Sequence, residues 1–114
     1  MNAEVRPTEL RLNPAKDLLA ILFDSGERFE LPAEYLRVES PSAEVQGHSP
    51  EQKQTVTGKQ DVKIAAIEPV GNYAVRIVFD DGHDSGFFTW NYLHTLGTEH
   101  KRRWAAYLDA TAGM

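Results

Sequence analysis

Phe23-Asp24-Ser25-Gly26 returns fifty-six residues later as Phe79-Asp80-Asp81-Gly82, and this echo constrains the fold more than any other feature of the chain. Tyr35-Leu36 returns as Tyr92-Leu93 at an offset of fifty-seven, and Pro14 as Pro69 at fifty-five. Each half then reads as strand, turn, strand, acidic-glycine hairpin, strand and helix start. Two explanations stand open. The halves are copies of one unit, or two unrelated hairpins share the Asp and Gly that tight turns favour.

The local patterns fill in the elements. Alternation at Leu10 and Leu12, the apolar run Leu18–Phe23 and the alternating Arg28–Leu31 predict three strands. Pro32 stops the third, and its fixed φ suits the first turn of a short helix over Ala33–Arg37. Val62–Val70 and Ala74–Phe79 predict two more strands joined at Gly71-Asn72. Asp80-Asp81-Gly82-His83 predicts a type I′ turn into Ser85–Thr89. From Trp90 to Thr111 the spacing is helical, with Gly97 expected to end one segment and Thr98 to cap the next. The fold class expected is α+β, antiparallel strands and hairpins packed against short and C-terminal helices, with a possible internal two-fold repeat. A flexible N-terminus over 1–9 precedes one domain over 10–112. Between Glu39 and Asp61 only Ala43, Val45 and Val56 are apolar, so 39–61 is expected to be a polar, mobile loop.

Composition removes several function classes. There is no cysteine, so thiol nucleophiles, redox pairs and cysteine-based zinc sites are absent. Twelve Lys and Arg against seventeen Asp and Glu give a net charge of −5, which opposes nucleic acid and acidic membrane surfaces. No apolar leader or membrane-length run occurs, and the expectation is a cytoplasmic protein.

Candidate chemistry is sparse. Asp80, Asp81, His83 and Asp84 form the densest polar cluster, but Asp and Gly are what a hairpin turn requires. No G-x-S-x-G, P-loop, G-x-G-x-x-G or H-E-x-x-H occurs, and no histidine is followed two residues later by Asp, as the iron oxygenases need. Lys101-Arg102-Arg103 reads as a solvated helix face between Glu99 and Asp109. Phe87, Phe88, Trp90 and Trp104 are the candidate contact residues. Strand alternation sends Phe87 and Phe88 to opposite faces, and the expectation is that both are covered.

Leu36–Val45, Val75–His83 and Ser85–Leu93, above all the stretch D-G-H-x-S-G-x-F followed by Trp90 and Tyr92-Leu93, resemble the small N-terminal module of gamma-butyrobetaine hydroxylase and trimethyllysine dioxygenase. That module also occurs as a bacterial stand-alone protein of uncharacterised function, and appended to some iron–sulfur carrier ATPases. The resemblance implies a zinc site of three cysteines and one histidine in metal-binding members. The cysteine positions correspond to Ser40, Ser42 and Val45 here, and only His83 remains as the metal-ligand candidate. The zinc site therefore reads as lost and no cofactor is expected. The oxygenase activity of the larger relatives belongs to a separate domain, so the resemblance implies an accessory role and no enzyme.

Two functions compete at this point. One is a non-catalytic protein-interaction module with an unknown protein partner, monomeric or a weak homodimer, with no catalytic residue. The other is a metal- or small-ligand-binding domain with a remodelled site around His83, drawing on Asp81, Asp84, Glu39, Glu44 or His48.

Overall fold

The computed structural model describes residues 5–42 and 56–112. Six strands form two antiparallel three-stranded meanders. β1 (Pro7–Leu12), β2 (Leu18–Phe23) and β3 (Arg28–Pro32) make the first sheet in that order. β4 (Ile64–Val70), β5 (Ala74–Phe79) and β6 (Phe87–Thr89) make the second. α1 (Ala33–Val38) follows β3 without a linker, as α2 (Trp90–Thr98) follows β6; α3 (His100–Thr111) closes the described chain. The fold is α+β.

Period-two alternation on the central strands builds the core. Leu19, Ile21 and Phe23 of β2 and Val75, Ile77 and Phe79 of β5 point inward. They meet Leu31, Leu36, Phe88, Leu93 and Leu96 in one apolar cluster, all of it essentially closed to solvent. Burial at about 25 cal/mol per Å² of apolar surface is the main force holding the two sheets to the helices.

The second half repeats the first in detail. A register shift lies between Pro7 and Glu9 opposite Phe23, and again between Ile64 and Ala66 opposite Phe79. The Asp24 amide donates to the Arg6 carbonyl at 2.8 Å, and the Asp80 amide to the Lys63 carbonyl at 2.9 Å. Ala33 N–H reaches Asp17 O as Trp90 N–H reaches Tyr73 O. Shared turn composition does not produce matched bulges and matched bonds outside the turns, so the internal repeat is structural. The Pro14 and Pro69 match is not part of it. Pro69 pairs Val75 as Leu12 pairs Leu19, which makes Leu12 the counterpart of Pro69.

Several expectations change. The Asp80-Asp81-Gly82 turn is not type I′, which needs positive φ at both central residues; here only Gly82 has it, at 91°. The N–H of Gly82 donates to Phe79 O and that of Phe79 to His83 O, a three-residue loop closed by the glycine. Phe23, Gly26 (φ 92°) and Glu27 make the same loop.

Gly97 does not end a helix. It lies inside α2, and the break falls at Glu99. A Cβ at position 97 would come within 2.5 Å of the Phe29 ring, so the glycine serves close packing. Thr98 does not cap α3, since Glu99 stands at that position and the Thr98 hydroxyl donates back to Thr95 O; Thr89 caps α2, its hydroxyl accepting from the Tyr92 amide.

β1 starts at Pro7, inside the segment expected to be flexible, because the first sheet needs an edge partner for β2. The polar loop is also shorter than expected at both ends. Glu39, Ser40 and Ser42 are buried, and Val56 O accepts from the Tyr107 hydroxyl at 2.8 Å. Residues 43–55 of that loop, with Glu44, Val45 and His48, lie outside the described residues.

Candidate functional site

The site begins with the hairpin turn. Gly82 lets the chain double back so that His83 is carried inward, 6% exposed, while Asp81 reaches back to accept the His83 amide at 3.1 Å. α1 then delivers two hydroxyls. Its end is fixed by the Glu39 amide bonding Tyr35 O, and the next residues turn Ser40 Oγ to 2.9 Å and Ser42 Oγ to 3.3 Å from His83 Nε2. Gly86 makes room, since a Cβ there would collide with Ser40 Oγ.

A charged rim surrounds this core. Asp81 Oδ2 takes Arg37 Nε at 2.9 Å and Lys59 Nζ at 2.6 Å. Burial alone would push the Asp81 carboxyl up, but Lys59, the His83 amide and Arg37 together outweigh it and hold the group at about 2. Arg37 Nη1 is buried without a hydrogen-bond partner, a local cost of the arrangement.

The repeat supplies a second copy of this clasp with different residues. Glu27 occupies the place of His83, its amide donating to Ser25 Oγ at 3.3 Å as His83 donates to Asp81. His94 of α2 occupies the place of Arg37 and bonds Glu27 at 2.7 Å, edge-on to Phe23 and Phe29. Gly97 corresponds to Ser40 and Phe29 to Gly86. In one clasp a phenyl ring fills the volume against a glycine; in the other a glycine opens it and two hydroxyls and an imidazole occupy it. Asymmetry between the copies, rather than the Asp cluster itself, marks the His83 site.

Of the four positions that the resemblance implies for zinc, three come together, Ser40 and Ser42 meeting at His83 Nε2, while Val45 lies outside the described residues. The donor set does not fit zinc. Neutral hydroxyls are poor ligands for it, and these two are engaged with the one imidazole nitrogen that faces them. Among the described residues no group of three or more His, Asp or Glu side chains is placed to hold a metal. Asp84 turns outward to Arg76, 3.0 Å away, and Glu39 turns to Arg103 at 2.7 Å, so neither joins His83.

Nor do the described contacts place Asp81 as the third member of an acyl-transfer triad with Ser40 and His83. Ser40 Oγ is within reach of His83 Nε2, but Asp81 binds the main chain and two cations, and Ser40 has no exposed surface.

The contact candidates separate. Phe88 is buried in the core, which removes it from any contact surface, whereas Phe87 is 52% exposed, against the expectation that both are covered. Trp90 is half-buried, its indole N–H donating to Asn72 O. Trp104 is half-buried against Tyr35. α3, which carries it, has no buried residue at all, and its Leu108 is 50% exposed. α3 is held at its start by Arg103, which binds Glu39 and Glu99, and by His100 stacked on Tyr35 at 4.4 Å.

Arg37, Lys59 and Arg103 were not apparent as site residues in the sequence. The basic run 101–103 reads as solvated, yet Arg103 turns inward to a buried carboxylate, and nothing in the local pattern distinguishes it from Arg102.

No curated protein matches the chain. A crystal structure of a protein of unknown function of the DUF971 family, from Acidithiobacillus ferrooxidans, is 38% identical, covering 81% of this chain and 92% of that one, with a TM-score of 0.68. Two proteins solved by solution NMR are 45% and 44% identical. They cover 97% and 99% of this chain and 89% and 86% of their own, with TM-scores of 0.81 and 0.82. The family model for "gamma-butyrobetaine hydroxylase-like, N-terminal" matches residues 10–94, and the chain belongs to that family.

Proposed function

We propose that this chain is a non-catalytic protein-interaction module that takes no zinc, works in the cytoplasm and contacts a protein partner through α3. The observation that carries this reading is the state of α3. It presents Ala105 and Leu108 along one side, is anchored through His100, Arg103, Trp104 and Tyr107, and leaves Leu108 half exposed with no residue fully buried. A helix held this way stabilises the domain little for its apolar content, and its free stripe is the kind of surface that partners cover. The saturated Ser40–His83–Ser42 contact supports the same reading, because it positions the chain after α1 without leaving a nucleophile in solvent. The absence among the described residues of a helix long and apolar enough to cross a membrane is compatible with it.

The test is quantitative affinity capture with the wild-type chain and Leu108→Asp, both checked for folding by amide spectra. A protein retained by the wild type and reduced at least tenfold by the variant supports the reading. Equal capture by both, or none by either, counts against it.

A further inference from the structure

We infer that a cleft between α3, the start of α1 and the segment 57–60 takes a primary ammonium group, carried by a free amine or by a lysine side chain of another protein; this is independent of the interaction reading above. Glu34, Thr57, Gln60, Trp104 and Tyr107 are among the residues lining this space of about 330 Å³. Its walls are built by the fold. Tyr107 donates its hydroxyl to Val56 O at 2.8 Å, which ties the chain leading to β4 onto α3. Trp104 stacks on Tyr107 with ring centroids 5.1 Å apart. The first turn of α1 brings Glu34 to the same place.

The charge at this cleft is one-sided. Among the described residues neither the Glu34 nor the Asp61 side chain makes an ion pair or hydrogen bond, while Arg37 and Lys59 are both taken by Asp81. Burial pushes the Glu34 carboxyl above its usual range, and the Asp61 charge pushes it further. Burial also raises the Tyr107 phenol, with the Glu34 charge adding to it, so this carboxylate and the aromatic pair share one environment. A helix start accounts for an acid at position 34, but not for a second unpaired carboxylate near it or an aromatic wall against it. An ammonium accounts for all three. It offsets the carboxylates, and its three N–H groups find acceptors in them, in the Thr57 hydroxyl and in the Gln60 amide oxygen. The faces of Trp and Tyr attract it as well. A divalent metal is not served here, because two carboxylates supply too few oxygens, and among the described residues no group of three or more acidic or histidine side chains is placed to hold one.

NMR titration of the intact chain tests this, with n-butylamine and the peptide N-acetyl-Gly-Lys-Gly-amide as probes. The same peptide acetylated on its lysine, which keeps the chain and loses the charge, is the control. The expected result is saturable shifts of the Trp104 indole N–H and of the Thr57 and Gly58 amides with both charged probes, Kd on the order of 1–10 mM, and none with the control. Glu34→Gln and Asp61→Asn, each checked for folding by its amide spectrum, weaken binding by roughly threefold apiece. A peptide bound at least tenfold more tightly than butylamine names a protein lysine as the occupant, and a smaller margin names a free amine. No saturable shift by about 100 mM probe overturns the inference, as do equal shifts from the acetylated control or binding unchanged in both carboxylate variants.

Discussion

Tyr35 donates its hydroxyl to the Leu96 carbonyl at 2.7 Å, and Tyr92 donates to the Glu39 carbonyl at 2.5 Å. These are one bond made twice across the repeat: each half's helix begins with a tyrosine that closes the end of the other half's helix. Burial pushes the ionisation of both phenols upward, Tyr92 to about 12, so both remain donors throughout the usual pH range.

Tyr35→Phe and Tyr92→Phe each remove a donor from a carbonyl at a helix end and should cost about 1–2 kcal/mol. In a domain of this size that corresponds to a Tm lower by roughly 4–15 °C, read by thermal unfolding. Loss of a few tenths only, from both variants, would show that the exchanged bonds do not hold the halves together.

Asp81 sets an acid limit. Its carboxyl titrates at about 2 when folded against 3.8 as a free side chain, so the folded state binds the proton less tightly than the unfolded state. The stabilisation is complete above about pH 4 and is lost as pH falls through 2. With solvent screening it amounts to about 1–2 kcal/mol. Asp81→Asn should be less stable at pH 7 and show a flatter stability profile between pH 4 and 2, measured by urea unfolding at each pH; an unchanged profile would contradict the ion-pair assignment.

Two glycines should respond in opposite company. Gly97→Ala meets the Phe29 ring at 2.5 Å and should destabilise by about 1–3 kcal/mol, partly recovered by Phe29→Leu. Gly86→Ala meets Ser40 Oγ and should be recovered by Ser40→Gly instead. Rescue by the wrong partner would break the correspondence between the two clasps.

The positions of Ser40 and Ser42 at His83 Nε2 make a gain-of-function test of the missing zinc site. Ser40→Cys, Ser42→Cys and Val45→Cys together restore the thiolate set that the family resemblance implies, and this variant should bind Zn²⁺ with release of protons, measured by calorimetry at pH 7.5. The wild type should show no saturable heat. Tight zinc uptake by the wild type would overturn the argument from its donor set.

Much of the fold was legible because it rests on local signals. Alternating apolar residues located the strands, Pro32 marked the β3–α1 junction, and the Asp-Gly echo pointed to the repeat. The turn type was missed because Asp-Gly serves two hairpin loops, and only the φ of the preceding residue tells them apart. Gly97 was misread since a glycine needed for packing looks the same in sequence as one that ends a helix. The site was half visible. His83, Ser40 and Ser42 came from the resemblance, but Arg37 and Lys59 reach Asp81 from segments 44 and 22 residues away, and such pairings leave no local pattern. Phe87 and Phe88 show the same limit: alternation separated their faces, and only the packing decided which face was covered.

The central claim is that α3 is the contact surface, and site-specific photo-crosslinking in the native host tests it most directly. A photoreactive residue at position 108 should yield discrete crosslinked protein species, while the same residue at Thr8, exposed on the edge strand β1, yields background only. Matching background from both positions, with the chain folded, would contradict the account.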